Sequence, residues 1–130
     1  AHGADVVLLI VAALSKNQLE DYFHLSKELG MRSLIEVHTH DELERALEIS
    51  PDIIGVNSRN LKTLEVDARA FSELIPQIPS SIARVAESGI STRQEVEFAQ
   101  ECGATAILVG EALVRSGSPS VAVNQLLGRL

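Results

Sequence analysis

The order of apolar and polar positions switches repeatedly between two periods. Residues 6–11 are an unbroken apolar run rich in β-branched side chains, which predicts a strand buried on both faces, as in a parallel sheet. Ser15 follows with Gln18 in capping-box position, and Leu19, Tyr22, Phe23, Leu25 and Leu29 form the apolar stripe of a helix that Gly30 ends. Residues 33–38 predict a second strand. Thr39 and Glu42 repeat the capping box and open a short helix over 41–49 with Leu43, Ala46 and Leu47 inward. Pro51 breaks it, and residues 53–57 predict a third strand followed by a long polar loop over 58–66. Asp67 is the expected cap of a helix over about 68–75, stopped by Pro76. Residues 82–87 predict a fourth strand, and Thr92 with Glu95 opens a helix to about residue 102. The fifth strand is expected over 105–109, a short helix over 112–114, and a last helix from Pro119 through Leu127.

Strand and helix thus alternate, and the segments Gly3-Ala4-Asp5-Val6-Val7-Leu8 and Gly103-Ala104-Thr105-Ala106-Ile107-Leu108 are near copies. Alternation of this kind predicts an α/β fold with a parallel sheet, whose right-handed crossovers place every loop that follows a strand at one end. Those loops carry His38, Asn57, Arg59, Glu87, Ser88, Gly89, Gly110 and Glu111, whereas the opposite loops carry turn residues such as Gly30, Pro51 and Gly103. Ser88-Gly89 and Gly110-Glu111 each end an apolar run and precede a helix. Backbone N–H groups gathered there suit an anion, above all phosphate, and paired sites of this type mark the last two strands of (β/α)8 barrels.

Composition narrows the partners. The chain has 130 residues, sized for a single domain over 1–130, and its net charge of −7 argues against nucleic acid or an anionic membrane surface. No run reaches transmembrane length, and the lone Cys102 is expected in a reducing cytoplasm.

Two carboxylates stand out. Glu36 lies between Ile35 and Val37 inside an apolar strand, and Glu87 ends another. A buried carboxylate is costly unless paired, and its pKa moves toward the range useful for proton transfer. Arg59 suits a carboxylate ligand. The four histidines lack the companions of a metal site; His38 and His40 are expected in solvated loop positions, and Arg84 on the outer side of the sheet.

The segments Leu34-Ile35-Glu36-Val37-His38, Ile54-Gly55-Val56-Asn57-Ser58-Arg59-Asn60-Leu61-Lys62-Thr63, Val85-Ala86-Glu87-Ser88-Gly89-Ile90 and Ile107-Leu108-Val109-Gly110-Glu111-Ala112-Leu113 resemble indole-3-glycerol phosphate synthases over the full chain. The resemblance implies a (β/α)8 barrel of tryptophan biosynthesis that closes a ring, decarboxylates and dehydrates a phosphorylated substrate, without cofactor or metal. It implies that Glu36 acts in proton transfer, Asn57 orients the substrate, Arg59 lies near its carboxylate and Glu87 bonds its hydroxyls. Ser88, Gly89, Gly110 and Glu111 would supply phosphate-binding N–H groups, and Leu8 and Leu108 would wall the aromatic ring.

Only five βα units are present, corresponding to the fourth to eighth of the barrel. In the family the first three strands supply two lysines, one of them the general acid, and a further glutamate. The lysines here, Lys16, Lys27 and Lys62, match neither. The chain alone is therefore expected to be inactive, and its open edges are expected to self-associate or to accept the missing segment. The alternative is a non-catalytic remnant or fragment keeping a phosphate half-site.

Overall fold

A computed structural model describes residues 2–129. The strands β1 (Val6–Ile10), β2 (Arg32–Val37), β3 (Ile53–Asn57), β4 (Ala83–Glu87) and β5 (Ala106–Leu108) form one parallel sheet in the order β1-β2-β3-β4-β5. Between and after them lie α1 (Lys16–Glu28), α2 (His40–Glu48), α3 (Arg69–Leu74), α4 (Arg93–Glu101), α5 (Glu111–Arg115) and α6 (Pro119–Leu126). Sequential order of parallel strands, each followed by a helix, is that of part of a (β/α)8 barrel.

The boundaries are set locally. The capping boxes at Ser15/Gln18, Thr39/Glu42 and Thr92/Glu95 are all formed, side chain to backbone in both directions, and start α1, α2 and α4. Alternation along the strands divides the sheet into two faces. Ile35, Val37, Ile54, Val56 and Ala86 point outward and are buried against Leu19, Phe23, Leu43, Phe71 and Ile75 of the helical layer. Leu8, Glu36, Gly55, Asn57, Glu87 and Leu108 alternate with them onto the other face.

Several expectations are corrected. The run over 6–11 is not buried on both faces: β1 is an edge strand, and Val6 and Leu8 are about half exposed. The α1 stripe is narrower than its pattern, with Leu19 and Phe23 buried but Tyr22, Leu25 and Leu29 exposed, because no described element covers that flank. Asp67 caps the start of α3 as expected, its Oδ1 accepting the N–H of Arg69, but α3 ends at Leu74, with Pro76 inside a following 3-10 turn. The 58–66 loop is closed at its base by a bridge between Arg59 and Val66. Helix α4, as expected, begins at Arg93 directly behind its Thr92 cap. Arg84, as expected, lies on the outer face with its register partner Ile54.

Candidate active site

All ten residues singled out from the sequence line one cleft of about 610 Å³ at the carboxyl ends of the strands: Leu8, Glu36, Asn57, Arg59, Glu87, Ser88, Gly89, Leu108, Gly110 and Glu111. Each strand contributes an inward-facing residue, Leu8 from β1, Glu36 from β2, Asn57 from β3, Glu87 from β4 and Leu108 from β5, the last three in register with one another.

At the floor, Glu36 and Glu87 are 6% and 3% exposed. Asn57 Nδ2 donates to Glu36 Oε1 at 3.0 Å, and Asn57 Oδ1 accepts the Arg59 N–H at 2.9 Å. One amide therefore fixes both the carboxylate and the start of the loop. Burial, reinforced by the charge of Glu36, pushes the Glu87 carboxyl up to about 8. Glu87 Oε1 is buried with no hydrogen-bond partner.

The two glycine turns prove to be different devices. Ser88 and Gly89 both adopt left-handed backbone, φ +65° and +66°, which turns their N–H groups together. The N–H groups of Ser88, Gly89 and Ile90 donate to no acceptor among the described residues. The start of α4 is not part of this turn, since Glu95 Oε2 accepts from Ser91 and Thr92 and Thr92 Oγ1 from Glu95. Gly110, by contrast, is the N-cap of α5 at φ −121°, without a side-chain cap, and leaves the first N–H groups of that turn open to the cleft.

Across the mouth, Arg59 Nη2 lies 3.3 Å from Glu111 Oε2, and Arg115 Nη2 lies 3.0 Å from Glu111 Oε1. The walls are apolar: Leu8 and Leu108, the equivalent positions of the two near-copy segments, are 48% and 50% exposed at opposite edges of the sheet.

Sequence reasoning missed three contributors. Gly55 is the space in which Glu87 sits, since a Cβ there would lie 1.7 Å from Glu87 Oε1. Arg115 joins the ion pairs at the mouth, one helical turn after Glu111, a spacing visible in the sequence. His38 is not a solvated loop residue: its half-buried ring places Nδ1 2.6 Å from the Asn57 carbonyl oxygen. Among the described residues no group of three His, Cys, Asp or Glu side chains could hold a metal ion, and no helix is long and apolar enough to cross a membrane.

Five parallel βα units with a polar cleft at the strand carboxyl ends define a protein of the (β/α)-barrel class. The fold is shared with 3-hexulose-6-phosphate synthase from Salmonella typhimurium (TM-score 0.77, 15% identity, covering 98% of this chain and 64% of that one). It is shared also with thiamine phosphate pyrophosphorylase from Pyrococcus furiosus (TM-score 0.76, 18% identity, 97% and 59%). The model of the indole-3-glycerol phosphate synthase family matches residues 1–126, and the chain belongs to that family. It is 51% identical over 127 residues to the indole-3-glycerol phosphate synthase of Rhodococcus jostii and 53% identical over 128 residues to that of Kineococcus radiotolerans. These matches cover 98% of this chain but 47% and 46% of the relatives, so the chain spans about half their length.

Proposed function

We propose that the cleft is the substrate-closing end of an indole-3-glycerol phosphate synthase. The reaction converts 1-(2-carboxyphenylamino)-1-deoxyribulose 5-phosphate to indole-3-glycerol phosphate by ring closure, loss of carbon dioxide and loss of water, which makes the protein a carboxy-lyase. The observation that carries the reading is the convergence of a paired buried carboxylate, Glu36 on Asn57, with unpaired backbone N–H groups and apolar walls in a single cleft.

In this reading the phosphate of the substrate accepts from the N–H groups at Ser88-Gly89 and Gly110-Glu111, a site that needs no net positive charge on the protein. Leu8 and Leu108 flank the aromatic ring. Arg59 exchanges its contact with Glu111 for the carboxylate of the substrate, which a guanidinium can grip with two parallel hydrogen bonds. Glu87 bonds the sugar-derived hydroxyls. Asn57 holds Glu36 in one orientation, so that its oxygens can accept and return the proton that moves during dehydration.

Ring closure turns a carbonyl oxygen into a hydroxyl and so calls for a general acid. The cleft contains no lysine. Lys16 pairs with Glu48, Lys27 covers the Phe23 ring, and Lys62 lines a separate recess of about 110 Å³ on the other side of Glu36. We therefore assign the acid to barrel strands other than these five, and full turnover to the chain joined or complemented by them. A cytoplasmic setting suits the unpaired Cys102.

A second reading is favoured by the half-exposed Val6, Leu8 and Leu108 on two unpaired strand edges: a self-associating fragment that holds phosphate and catalyses nothing. Turnover followed by the fluorescence of the indole product separates the two. Activity that appears on adding a fragment with the first three βα units of the family supports the first. A chain inert both alone and with that fragment supports the second.

A further inference from the structure

Glu36 and Glu87 lie on the same face of the sheet with β3 between them, and the residue of β3 in register with Glu36 is Gly55. The glycine is required by space. A Cβ at this position would meet Glu87 Oε1 at 1.7 Å, Glu87 Cδ at 2.8 Å and Leu34 Cδ1 at 3.1 Å. The carboxyl of Glu87 thus fills the place of the missing side chain, beside Glu36, the register partner of that glycine. Two carboxyl groups in contact and out of water do not both carry charge, and a hydrogen bond between them needs one proton. Asn57 donates to Glu36 at 3.0 Å, whereas Glu87 Oε1 has no donor, so the negative charge is better held on Glu36.

We propose that Gly55 is a positioning residue that lets Glu36 and Glu87 share one proton, with Glu87 the neutral member in the unliganded cleft. Glu87 then meets a substrate hydroxyl as a hydrogen-bond donor, while Glu36 beside it stays an acceptor. The inference deepens the reading of the cleft given above and rests on it for the identity of the ligand. The raised Glu87 carboxyl, at about 8, points the same way. Other charged groups do not offset the pair. Arg59 and Arg115 face it across the cleft but are engaged with Glu111, and His38, Glu42 and Lys62 line the recess behind Glu36.

The test is a pH titration of the whole chain, labelled with carbon-13 at the glutamate carboxyls, by NMR without substrate. One carboxyl is expected to titrate above about pH 7, far from the usual value near 4.3. That signal should be absent in E87Q, and in E36Q its midpoint should fall by at least one pH unit, a tenfold change in proton affinity. G55A should lower it similarly by pushing Glu87 away from its partner. If G55A does not fold, the double variant G55A/E87D, shorter by one methylene, decides: recovery of a dispersed spectrum supports the role of Gly55, and continued failure overturns it. A wild-type chain whose carboxyls all titrate in the usual range, or a high midpoint indifferent to E36Q, overturns the shared proton. Because no turnover is measured, failure of the proposed activity leaves this result standing, and the reverse.

Discussion

Asn57 binds Glu36 through Nδ2 at 3.0 Å and holds the Arg59 N–H through Oδ1 at 2.9 Å, so one side chain at the end of β3 ties together a buried carboxylate and the loop that crosses the cleft. Replacing it with alanine leaves Glu36 without this donor while still buried. N57A is expected to lower the stability of the chain by about 1–3 kcal/mol, the cost of an unsatisfied buried polar group. N57D should be more destabilising than N57A at neutral pH, because it sets a second negative charge beside Glu36, and the two should converge below about pH 4, where carboxylates are protonated. Urea denaturation at both pH values checks this.

The stability of the wild-type chain should carry the signature of Glu87. A carboxyl raised by burial and by Glu36 to about 8 from its ordinary value of 4.5 binds more protons in the folded state than in the unfolded one. The sign follows: its contribution is favourable at acid pH, declines as pH rises from about 4.5 to about 8, and is flat above. E87Q cannot ionise, so the difference in unfolding free energy between E87Q and wild type should grow in favour of E87Q across that window. A difference that does not change with pH would sink the prediction.

Gly89 holds the turn that exposes the N–H groups. Its φ is +66°, and a Cβ would lie 2.6 Å from Val66 Cγ1 and 3.0 Å from Ser58 Oγ. G89A combines left-handed backbone with a steric clash and should cost about 1–3 kcal/mol. Adding V66A should recover only part of this, since the clash is relieved and the backbone penalty is not. The comparison of the two variants in thermal unfolding tells the two causes apart.

Arg59 and Glu111 form a half-exposed pair at 3.3 Å. Such pairs contribute at most about 1 kcal/mol, so R59A should barely move the melting temperature. If Arg59 takes the substrate carboxylate, the same change should weaken substrate binding in a complemented enzyme by about 10–100-fold, the loss of a charge-assisted hydrogen bond worth about 1.5–3 kcal/mol. Calorimetric titration against thermal unfolding separates ligand binding from stability.

The open strand edges and the half-exposed Val6, Leu8 and Leu108 are expected to drive association of the isolated chain. Light scattering should give a mass above 14.0 kDa that falls toward it in L8K/L108K. A wild-type chain that remains at 14.0 kDa at high concentration contradicts this.

Much of the molecule is decided by short-range pattern. The three capping boxes form between side chains three residues apart, so Ser15/Gln18, Thr39/Glu42 and Thr92/Glu95 could be read directly. The alternation of strand and helix carries the parallel sheet, and the sheet brings the strand-end residues from Leu8 to Glu111 to one cleft, because parallel strands all point their carboxyl ends the same way. Other features depend on what stands opposite a residue. The exposure of Leu8 and of the Leu25–Leu29 flank of α1 is a matter of which neighbours cover them, which no local period encodes. The closeness of Glu87 to Gly55, the ring of His38 against the Asn57 carbonyl and the contact of Arg59 with Glu111, 52 residues apart, arise from register between strands and from loops folding over them. The sequence by itself determined the elements, their order and the end of the sheet that carries the chemistry. Only the tertiary structure decided which polar groups there are partnered, buried or left free, because desolvation and hydrogen bonding depend on distances across the fold rather than along the chain.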